Sequence, residues 1–271
     1  MPPGEQYPLL GLTWHDPAAD VQVVASQLLV LKIAVTPLLE HPLTAALAAY
    51  PTLPDDQLKL VPDAMRHAGI EPLDRSRVAP IGAAAAATGL GLCAHYSEPD
   101  LCEFEETQMN MTRVLGIEYT PTALAVTYSS FQASRKGYDW RTDRVWSLGS
   151  DAIPDDGEVA IEDYWQRVWV ELRDMTRALK GRGRITHVLL MGDSVLGERF
   201  LKIMKDALHD VLDTDVMLQT SLGISSRSTE DLVDPVFTTA IGTAEFAKRG
   251  MESPNGCVES RICKWWRKRI G

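Results

Sequence analysis

The sequence has 271 residues, of which 45 % are hydrophobic, and a formal net charge of −10 at pH 7. A chain of this length and apolar content can bury one large core or two modest ones, so we expect a folded α/β protein rather than a disordered chain. General nucleic-acid binding depends on a basic field that meets the phosphate backbone. The acidic balance of this chain therefore argues against a nucleic-acid partner.

The C-terminal residues 261–270 reverse that charge, because five cations surround the adjacent Trp265 and Trp266. The favoured interpretation is that this tail packs its tryptophans on the body of the protein, and the alternative is contact with a membrane surface. The N-terminus shows no basic region followed by a signal-type apolar run. We also expect no membrane-spanning helix, which would need roughly 20 apolar residues in a row. The sequence thus predicts a cytoplasmic protein.

The chain has four cysteines, Cys93, Cys102, Cys257 and Cys263, and none of them shows the C-x-x-C spacing of zinc knuckles or redox motifs. Reduced, structural thiols are therefore expected in a cytoplasmic protein. A disulfide or a shared metal between Cys93 and Cys102 is the alternative.

The first third of the chain predicts three helices and a short strand. Apolar residues at 21, 24, 28, 31 and 35 recur at helical spacing, and Pro37 limits that helix. Residues 43–50 form a short apolar run, after which a second helix is predicted from a cap at 55 or 56 to Gly69. Pro80 begins an alanine-rich helix whose small side chains allow close approach to another element.

The middle of the chain predicts an antiparallel sheet. The β-rich runs 114–119 and 123–128 flank a Thr-Pro-Thr sequence that suits a hairpin turn, and a third strand is predicted around 144–148. A long amphipathic helix is predicted at 161–179.

The apolar run 185–191 predicts a central strand that is covered on both faces, and it leads through Gly192 into a helix at 195–212. Asp234 and Pro235 form a cap and first-turn pair that begins a last helix.

Three segments resemble, in the same order, motifs of the chaperone ATPase of the actin superfamily. Residues 80–90 (PIGAAAAATGL) are similar to its "EPTAAALAYGL" helix, 187–197 (HVLLMGDSVLG) to its "VLVGGSTRIP" adenosine motif, and 234–245 (DPVFTTAIGTAE) to its "PDEAVAYGAA" helix. The stretches GLCAHY at 91–96 and FEE at 104–106 resemble uncharacterised fungal proteins of this superfamily.

The resemblance extends over most of the chain after residue 43 and implies an α/β fold. Specifically, it implies an actin-like or ribonuclease-H-like mixed sheet flanked by helices and truncated at the N-terminus. Residues 1–112 would then be a helical and α/β remnant, and residues 113–271 an actin-like α/β subdomain.

Two departures from the family pattern bear on the nucleotide. The family begins with a "DxGTT" strand and turn whose backbone donates hydrogen bonds to phosphates, and nothing before residue 43 resembles it. The second loop, "DxGGGT" in the family, falls at 116–124 (GIEYTPTAL), where one glycine and a proline replace the flexible donors. Phosphoryl transfer depends on such donors and a metal, so no ATP hydrolysis is expected. Residual adenine-nucleotide binding is the less favoured alternative.

The emptied nucleotide cleft is the predicted site, and no cofactor or metal is expected in it. Tyr119, His187 and Asp193 are expected to act as the catalytic groups by orienting a carbonyl or hydroxyl. The predicted ligand-binding residues are Tyr128, Trp140, Trp146, Gly192 and Ser194. The alternatives are ordinary core aromatics and a satisfied structural histidine.

A second cluster is formed in the sequence by His95, Glu103, Glu105 and Glu106. These residues are either a metal or acid/base cluster or, as we favour, a solvated face of acidic residues that follows a helix. The sequence otherwise contains no GxSxG elbow, HExxH, P-loop or dinucleotide fingerprint.

Two functions remain open. The first is a nucleotide-independent binding protein for a hydrophobic small molecule. Its enzymatic form would be a cofactor-free cyclase or isomerase of secondary metabolism, that is, a pericyclase of Diels-Alderase type. A pericyclic step needs a shaped pocket and one hydrogen-bond donor, but no nucleophile or metal. The second is a non-catalytic pseudo-ATPase that serves as an interaction or chaperone-like module. We favour the first.

Overall fold

The computed structural model describes residues 17–51, 53, 57–73, 78–137, 141–179, 183–209 and 233–252. Trp140, the predicted helix cap at 55 or 56, and the basic tail lie outside the described residues. The helices are α1 (Pro17–Val35), α2 (Leu60–His67), α3 (Pro80–Ala87), α4 (Pro99–Gln108), α5 (Glu158–Ala178), α6 (Glu198–Leu208) and α7 (Thr238–Glu252). The strands are β1 (Ala45–Ala46), β2 (Glu71–Pro72), β3 (Thr112–Tyr119), β4 (Leu124–Phe131), β5 (Arg141–Val145) and β6 (His187–Met191). The fold is therefore mixed α/β, as the sequence predicts.

The main sheet has the strand order β5-β4-β3-β6. The hairpin of β3 and β4 is antiparallel, as is the pair of β4 and β5, whereas β6 runs parallel to β3 with Val114 opposite His187. β5 and β6 run parallel at opposite edges of this sheet, so the chain that joins them must cross the sheet, and it does so through the 21-residue helix α5. The predicted hairpin is confirmed.

The third strand differs from its prediction at 144–148. It ends at Val145, and residues Trp146–Leu148 form a 3-10 helix instead. The reason lies in the partner strand: Val145 pairs with Leu124, the first residue of β4, so no strand partner remains beyond it.

One face of the sheet is covered by α5 and α6. Side chains two residues apart along β3, Leu115, Ile117 and Tyr119, enter this core because successive residues of a strand point to opposite faces. From α5 the buried side chains are Tyr164, Trp165, Val168, Leu172, Met175 and Thr176, which recur at helical spacing. Full burial of each large apolar side chain contributes about 1.5–3 kcal/mol, so this core carries much of the stability.

The opposite face is covered by α3. Val114 of β3 and the alternate residues Leu189 and Met191 of β6 pack there against Ile81. Because Val188 and Leu190 enter the other core, β6 is covered on both faces as predicted. The alanine-rich helix α3 in turn packs closely on α7, which confirms the close approach predicted from its small side chains. α3 lies in the segment predicted as an N-terminal remnant, yet it is part of the packing of this sheet.

Helix α1 packs on α2 through one narrow stripe. Leu28 contacts the small cluster of Met65, Ala68 and Ile70. The Lys32 ammonium donates hydrogen bonds to the carbonyl oxygens of Ala68 (3.2 Å) and Gly69 (2.7 Å), where the last carbonyls of α2 have no partner within the helix. The stripe therefore combines apolar contact with a cation that caps α2.

The expectation that no stretch is long and apolar enough for a membrane span is wrong for the segment that contains α1. Residues 19–38 meet that length and composition, and only 6 % of this window is buried. Its outward side chains include Val30 (68 % exposed) and Ile33 (63 % exposed). The inward stripe is too narrow to cover a helix that is apolar on every side.

Candidate functional site

Four loop segments meet at one edge of the sheet, and they include the turns that the resemblance compares with the second phosphate loop (within 116–124) and with the adenosine motif (192–194). We call this region, residues 120–123, 149–152, 192–194 and 234–235, the loop edge. Its backbone amides are paired with its own carbonyls: the amide of Ser194 donates to Tyr119 (3.1 Å) and that of Gly192 to Pro235 (3.1 Å). The amides of residues 150 and 151 likewise donate to the carbonyls of residues 120 (3.0 Å) and 121 (2.9 Å). These donors are engaged within the protein.

Close packing accompanies this bonding at the loop edge. Gly192 has φ +97°, and a Cβ at this position would overlap the carbonyl oxygen of Tyr119. A glycine is required there by both its backbone conformation and the space. The predicted ligand residue Gly192 thus has a packing role in the turn between β6 and α6.

Tyr119, a predicted catalytic residue, lies in the core beneath α5 and α6. Its ring stacks on Phe200, with centroids 4.2 Å apart, and its hydroxyl lies 2.9 Å from that of Tyr164. Tyr164 in turn donates toward the carbonyls of Leu148 (3.0 Å) and Gly149 (2.8 Å). Burial, followed by the hydrogen bond to Tyr164, raises the pKa of Tyr119, so the phenol stays protonated. The side chain is 2 % exposed, and its contact with the loop edge runs through Tyr164, which donates to Gly149.

His187 lies on the other face of the sheet from Tyr119. Residues two apart on a strand lie on the same face, so His187 shares a face with Leu189 and Met191, which pack toward α3. It is the first residue of the five-residue β6, and the four residue steps from His187 to Met191 span about 13 Å, whereas Asp193 lies beyond the far end of the strand. Burial lowers the pKa of His187, and its Nδ1 lies 2.9 Å from the Thr186 hydroxyl. The three predicted catalytic side chains do not converge.

The remaining predicted ligand residues are also dispersed. Tyr128 is buried and pairs with Leu115 and Arg141, away from the loop edge. The ring of Trp146 lies under the Arg144 guanidinium, 5.3 Å from its centroid. Ser194 is at the loop edge, with its hydroxyl 2.9 Å from that of Ser150. Asp193 is exposed beside it. Among the predicted site residues that the structure describes, Gly192, Asp193 and Ser194 therefore share one place.

A cavity of about 420 Å³ lies elsewhere, between the chain that follows α3, the helix α4, and α7. We call it the α3–α7 cavity. Six of its lining residues are Leu92, Tyr96, Pro99, Cys102, Lys136 and Phe246. Its volume falls within the range of small-molecule sites. Its wall combines apolar surface with five charged side chains, those of Glu103, Glu106, Arg135, Lys136 and Arg249.

Cys93 and Cys102 form a disulfide in the wall of this cavity, with their Cα atoms 5.2 Å apart. This corrects the expectation of reduced thiols and matches the alternative pairing. The chain turns sharply after α3 at Gly91 (φ +64°), and the Glu98 amide donates to the His95 carbonyl (2.9 Å) as it turns again into α4. These two turns return Cys102, in the beginning of α4, to Cys93.

Ion pairs surround the disulfide. Arg249 of α7 donates from Nη1 to the Cys93 carbonyl (2.6 Å) and from Nε to Glu245 (2.6 Å). Its guanidinium also lies over the Tyr96 ring, 4.6 Å from the centroid. Lys136 pairs with Glu106 at 2.7 Å. The cations of Arg249 and Lys136 are thus matched with carboxylates, and the apolar wall remains available to a ligand.

The predicted cluster of His95 with three glutamates is resolved into separate contacts. Glu105 accepts hydrogen bonds from the amides of Ala94 (2.7 Å) and His95 (3.2 Å) and contacts the His95 ring at Nδ1. This contact raises the pKa of His95 and lowers the pKa of Glu105. Glu106 pairs instead with Lys136. The arrangement fixes the loop before α4 on the helix.

Among the described residues, one group has three potential ligand atoms close enough for a metal ion: Cys93, Cys102 and Glu106, whose atoms lie within 4.8 Å of one another. Zinc binds cysteine as the thiolate, and here the two sulfurs are joined to each other. The group as it stands is therefore a disulfide beside a carboxylate.

Sequence reasoning placed the site at the loop edge and missed the cavity. The pair of Cys93 and Cys102 and the nearby acidic residues were visible in the sequence, as alternatives that were not preferred. The contact of Arg249 with Cys93 could not be predicted from a local pattern, because the two residues are 156 positions apart in the sequence. Phe246 appeared only as one apolar residue of the last predicted helix.

Known protein families do not identify this chain. No protein-family model matches the sequence, and no curated protein matches it.

Proposed function

We propose that this protein is a nucleotide-independent binding protein on a degenerate actin-like fold, acting in the cytoplasm, and that its ligand is a hydrophobic small molecule held in the α3–α7 cavity. The α3–α7 cavity carries the proposal, because its volume of about 420 Å³ suits such a ligand. Leu92, Pro99 and Phe246 would contact the apolar body of the ligand.

The actin-like assignment is supported by the order of elements. The antiparallel strands β3, β4 and β5 are followed by the long helix α5 and then by β6. β6 runs parallel to β3 and pairs with the edge of β3 that does not pair with β4. That is the arrangement the resemblance implies. The motif helices at 80–90 and 234–245 pack against each other here as α3 and α7.

Nucleotide independence is supported by the loop edge. An ATP phosphate needs several unpaired donors at close range. In the hairpin turn that stands in place of the second phosphate loop, the amide of Thr120 donates to the carbonyl of Ala123 (3.0 Å) and the amide of Ala123 to the Thr120 hydroxyl (3.2 Å). Calorimetric titration with MgATP should give no binding tighter than millimolar. Micromolar affinity would overturn this part of the proposal.

A catalytic role as a cofactor-free cyclase or isomerase would require a donor within the cavity rather than Tyr119. Tyr96 is the candidate, since its ring lines the cavity and its hydroxyl donates to Glu252 (2.6 Å). This hydroxyl has one hydrogen, so Tyr96 would polarise a carbonyl of a substrate folded against Phe246 only by exchanging Glu252 for that carbonyl oxygen.

The cavity is tested with the neutral fluorescent probe N-phenyl-1-naphthylamine on the full chain. Leu92→Trp fills the cavity and should weaken probe binding at least about tenfold, because a blocked site forfeits the apolar contact. Val30→Asp on α1 is the matched control, because it changes an exposed apolar residue outside the cavity and should leave the affinity unchanged.

The second candidate is the pseudo-ATPase interaction module, which the outward face of α1 favours. Residues 29–33 include four exposed apolar side chains, Leu29, Val30, Leu31 and Ile33. Exposed apolar surface of this extent marks interaction sites. If the probe is lost in Val30→Asp and retained in Leu92→Trp, the interaction module replaces the small-molecule proposal.

A further inference from the structure

Helix α4 is attached to the protein without a buried side chain. None of its residues is buried, and Phe104 at its middle is 62 % exposed. Burial of apolar surface is the main stabilising contribution for most helices in proteins. α4 depends instead on the disulfide of Cys102, on Glu105 and on the ion pair between Glu106 and Lys136.

The two sulfurs of the disulfide have different surroundings. Cys93 is 5 % exposed, and the Arg249 guanidinium lies 3.9 Å from its Sγ. Cys102 is only partly buried, and the carboxylate of Glu106 lies 4.0 Å from its Sγ. Because the Glu106 carboxylate also lies within 4.8 Å of the Cys93 Sγ, the Arg249 cation is the group that distinguishes the two sulfurs, and it favours a negative charge on Cys93.

We propose that the Cys93–Cys102 disulfide is a thiol–disulfide exchange site for a small thiol that enters through the α3–α7 cavity. This inference rests on the proposed function, since it uses the same cavity for access. The thiolate of the small molecule attacks Sγ of Cys102 and forms a new sulfur–sulfur bond with it. The bond between Cys102 and Cys93 breaks, and its electron pair stays on Cys93 as a thiolate beside Arg249.

A second molecule of the thiol completes the reaction. It attacks the sulfur of the first molecule, releasing a small disulfide and the Cys102 thiolate, which takes a proton from water. Two thiols are oxidised to one disulfide, and the protein disulfide is reduced to two thiols. No other oxidant or reductant is needed.

Reduction then removes the one covalent cross-link that holds α4. In a reducing compartment a protein disulfide is usually transient, and catalytic or redox-sensing. The oxidised form holds α4 over the cavity, and the reduced form leaves the helix attached by exposed polar contacts, which contribute little in water.

The exchange is tested on the full chain carrying Cys257→Ser and Cys263→Ser, so that the two cysteines of the site remain. The oxidised protein is treated with reduced glutathione, trapped with an alkylating agent and mapped by mass spectrometry. We expect glutathione on Cys102 and the alkyl group on Cys93. Glutathione on Cys93, equal labelling of both, or reduction only after addition of denaturant would overturn the proposal.

Arg249 supplies an independent measurement. Arg249→Gln removes the charge beside the leaving sulfur and should slow the first exchange step about three- to tenfold, while Arg249→Lys should restore part of the rate. Equal rates in all three proteins would contradict the assigned leaving group.

Leu92→Trp separates this inference from the proposed function. Loss of probe binding with an unchanged exchange rate would show that thiols do not enter by the cavity and would overturn the inference alone. Probe binding that is absent even in the parent protein would remove the proposed function, whereas site-selective labelling of Cys102 would still support the exchange site.

Hydrogen exchange provides a last check: reduction should increase exchange of α4 amides and leave those of α5 unchanged.

Discussion

A Cβ added at Gly242 of α7 would overlap the backbone carbonyl oxygen of Ala83 in α3. The two helix backbones therefore touch at this glycine, and the overlapping partner is backbone rather than a flexible side chain. This crossing joins the helix before the α3–α7 cavity to the helix that supplies Phe246 and Arg249 to it.

The helix crossing predicts a severe effect of a single methyl group. Gly242→Ala should destabilise the protein by about 2 kcal/mol or more, because overpacking forces the helices apart. Gly250→Ala is the matched control in the same helix. Apart from the backbone of α7 itself, no atom of the described residues lies within 4 Å of its added Cβ, so alanine should stabilise the helix by about 0.5–1 kcal/mol. Urea unfolding of the two variants measures both, and equal effects would contradict the crossing.

The buried tyrosine pair predicts unequal effects of the same chemical change. Tyr119→Phe should cost about 1 kcal/mol, since it removes one hydrogen bond to Tyr164. Tyr164→Phe should cost more, about 1–3 kcal/mol, because it leaves the carbonyls of Leu148 and Gly149 without this donor. Thermal unfolding compares them. Tyr119→Phe should also leave probe binding to the cavity unchanged, and a changed affinity would return Tyr119 to the binding site.

His187 predicts a loss of stability toward acid. Burial lowers its pKa in the folded state below the ordinary 6.5, so the unfolded chain binds the proton more readily. Stability contributed by this group should fall as pH drops below about 6.5 and level off below the folded-state pKa. His187→Asn should flatten that part of the stability curve measured by urea unfolding between pH 7 and pH 5. A parallel curve in the variant would contradict the assignment.

The contact between His95 and Glu105 predicts the opposite dependence. The folded-state pKa of His95 is raised, so its contribution is complete below 6.5 and is lost as pH rises through the raised value. The folded-state pKa of Glu105 is lowered, so its contribution is complete above 4.5 and is lost as pH falls through the lowered value. The contact should therefore protect α4 from hydrogen exchange most between about pH 4.5 and 6.5. His95→Gln should remove this maximum, and an unaltered pH profile would exclude the contact as its cause.

The sheet could be predicted from the sequence because its signals are local. The two runs that became β3 and β4 alternate across a short turn, and neighbouring strands in a hairpin need no long-range information to find each other. The apolar run of β6 predicted a strand covered on both faces for a similar reason, since burial on two sides leaves no polar alternation. The alternation of faces along a strand also separates Tyr119 from the residues on the opposite face. It does not show which helix packs on the Tyr119 side.

The cavity and its disulfide were decided by the tertiary structure. Cys93 and Cys102 are nine positions apart, and their pairing depends on how sharply the chain turns between α3 and α4. Arg249 meets Cys93 only because α7 crosses α3 at Gly242, and no local pattern encodes a contact between elements so distant in sequence. Through periodicity, the sequence by itself determined the hairpin strands, β6 and the long helix α5 and the faces they bury, but it did not predict helix α4. Which polar groups share a site depended on helix packing, because side chains from separate elements meet only after the backbone between them has folded.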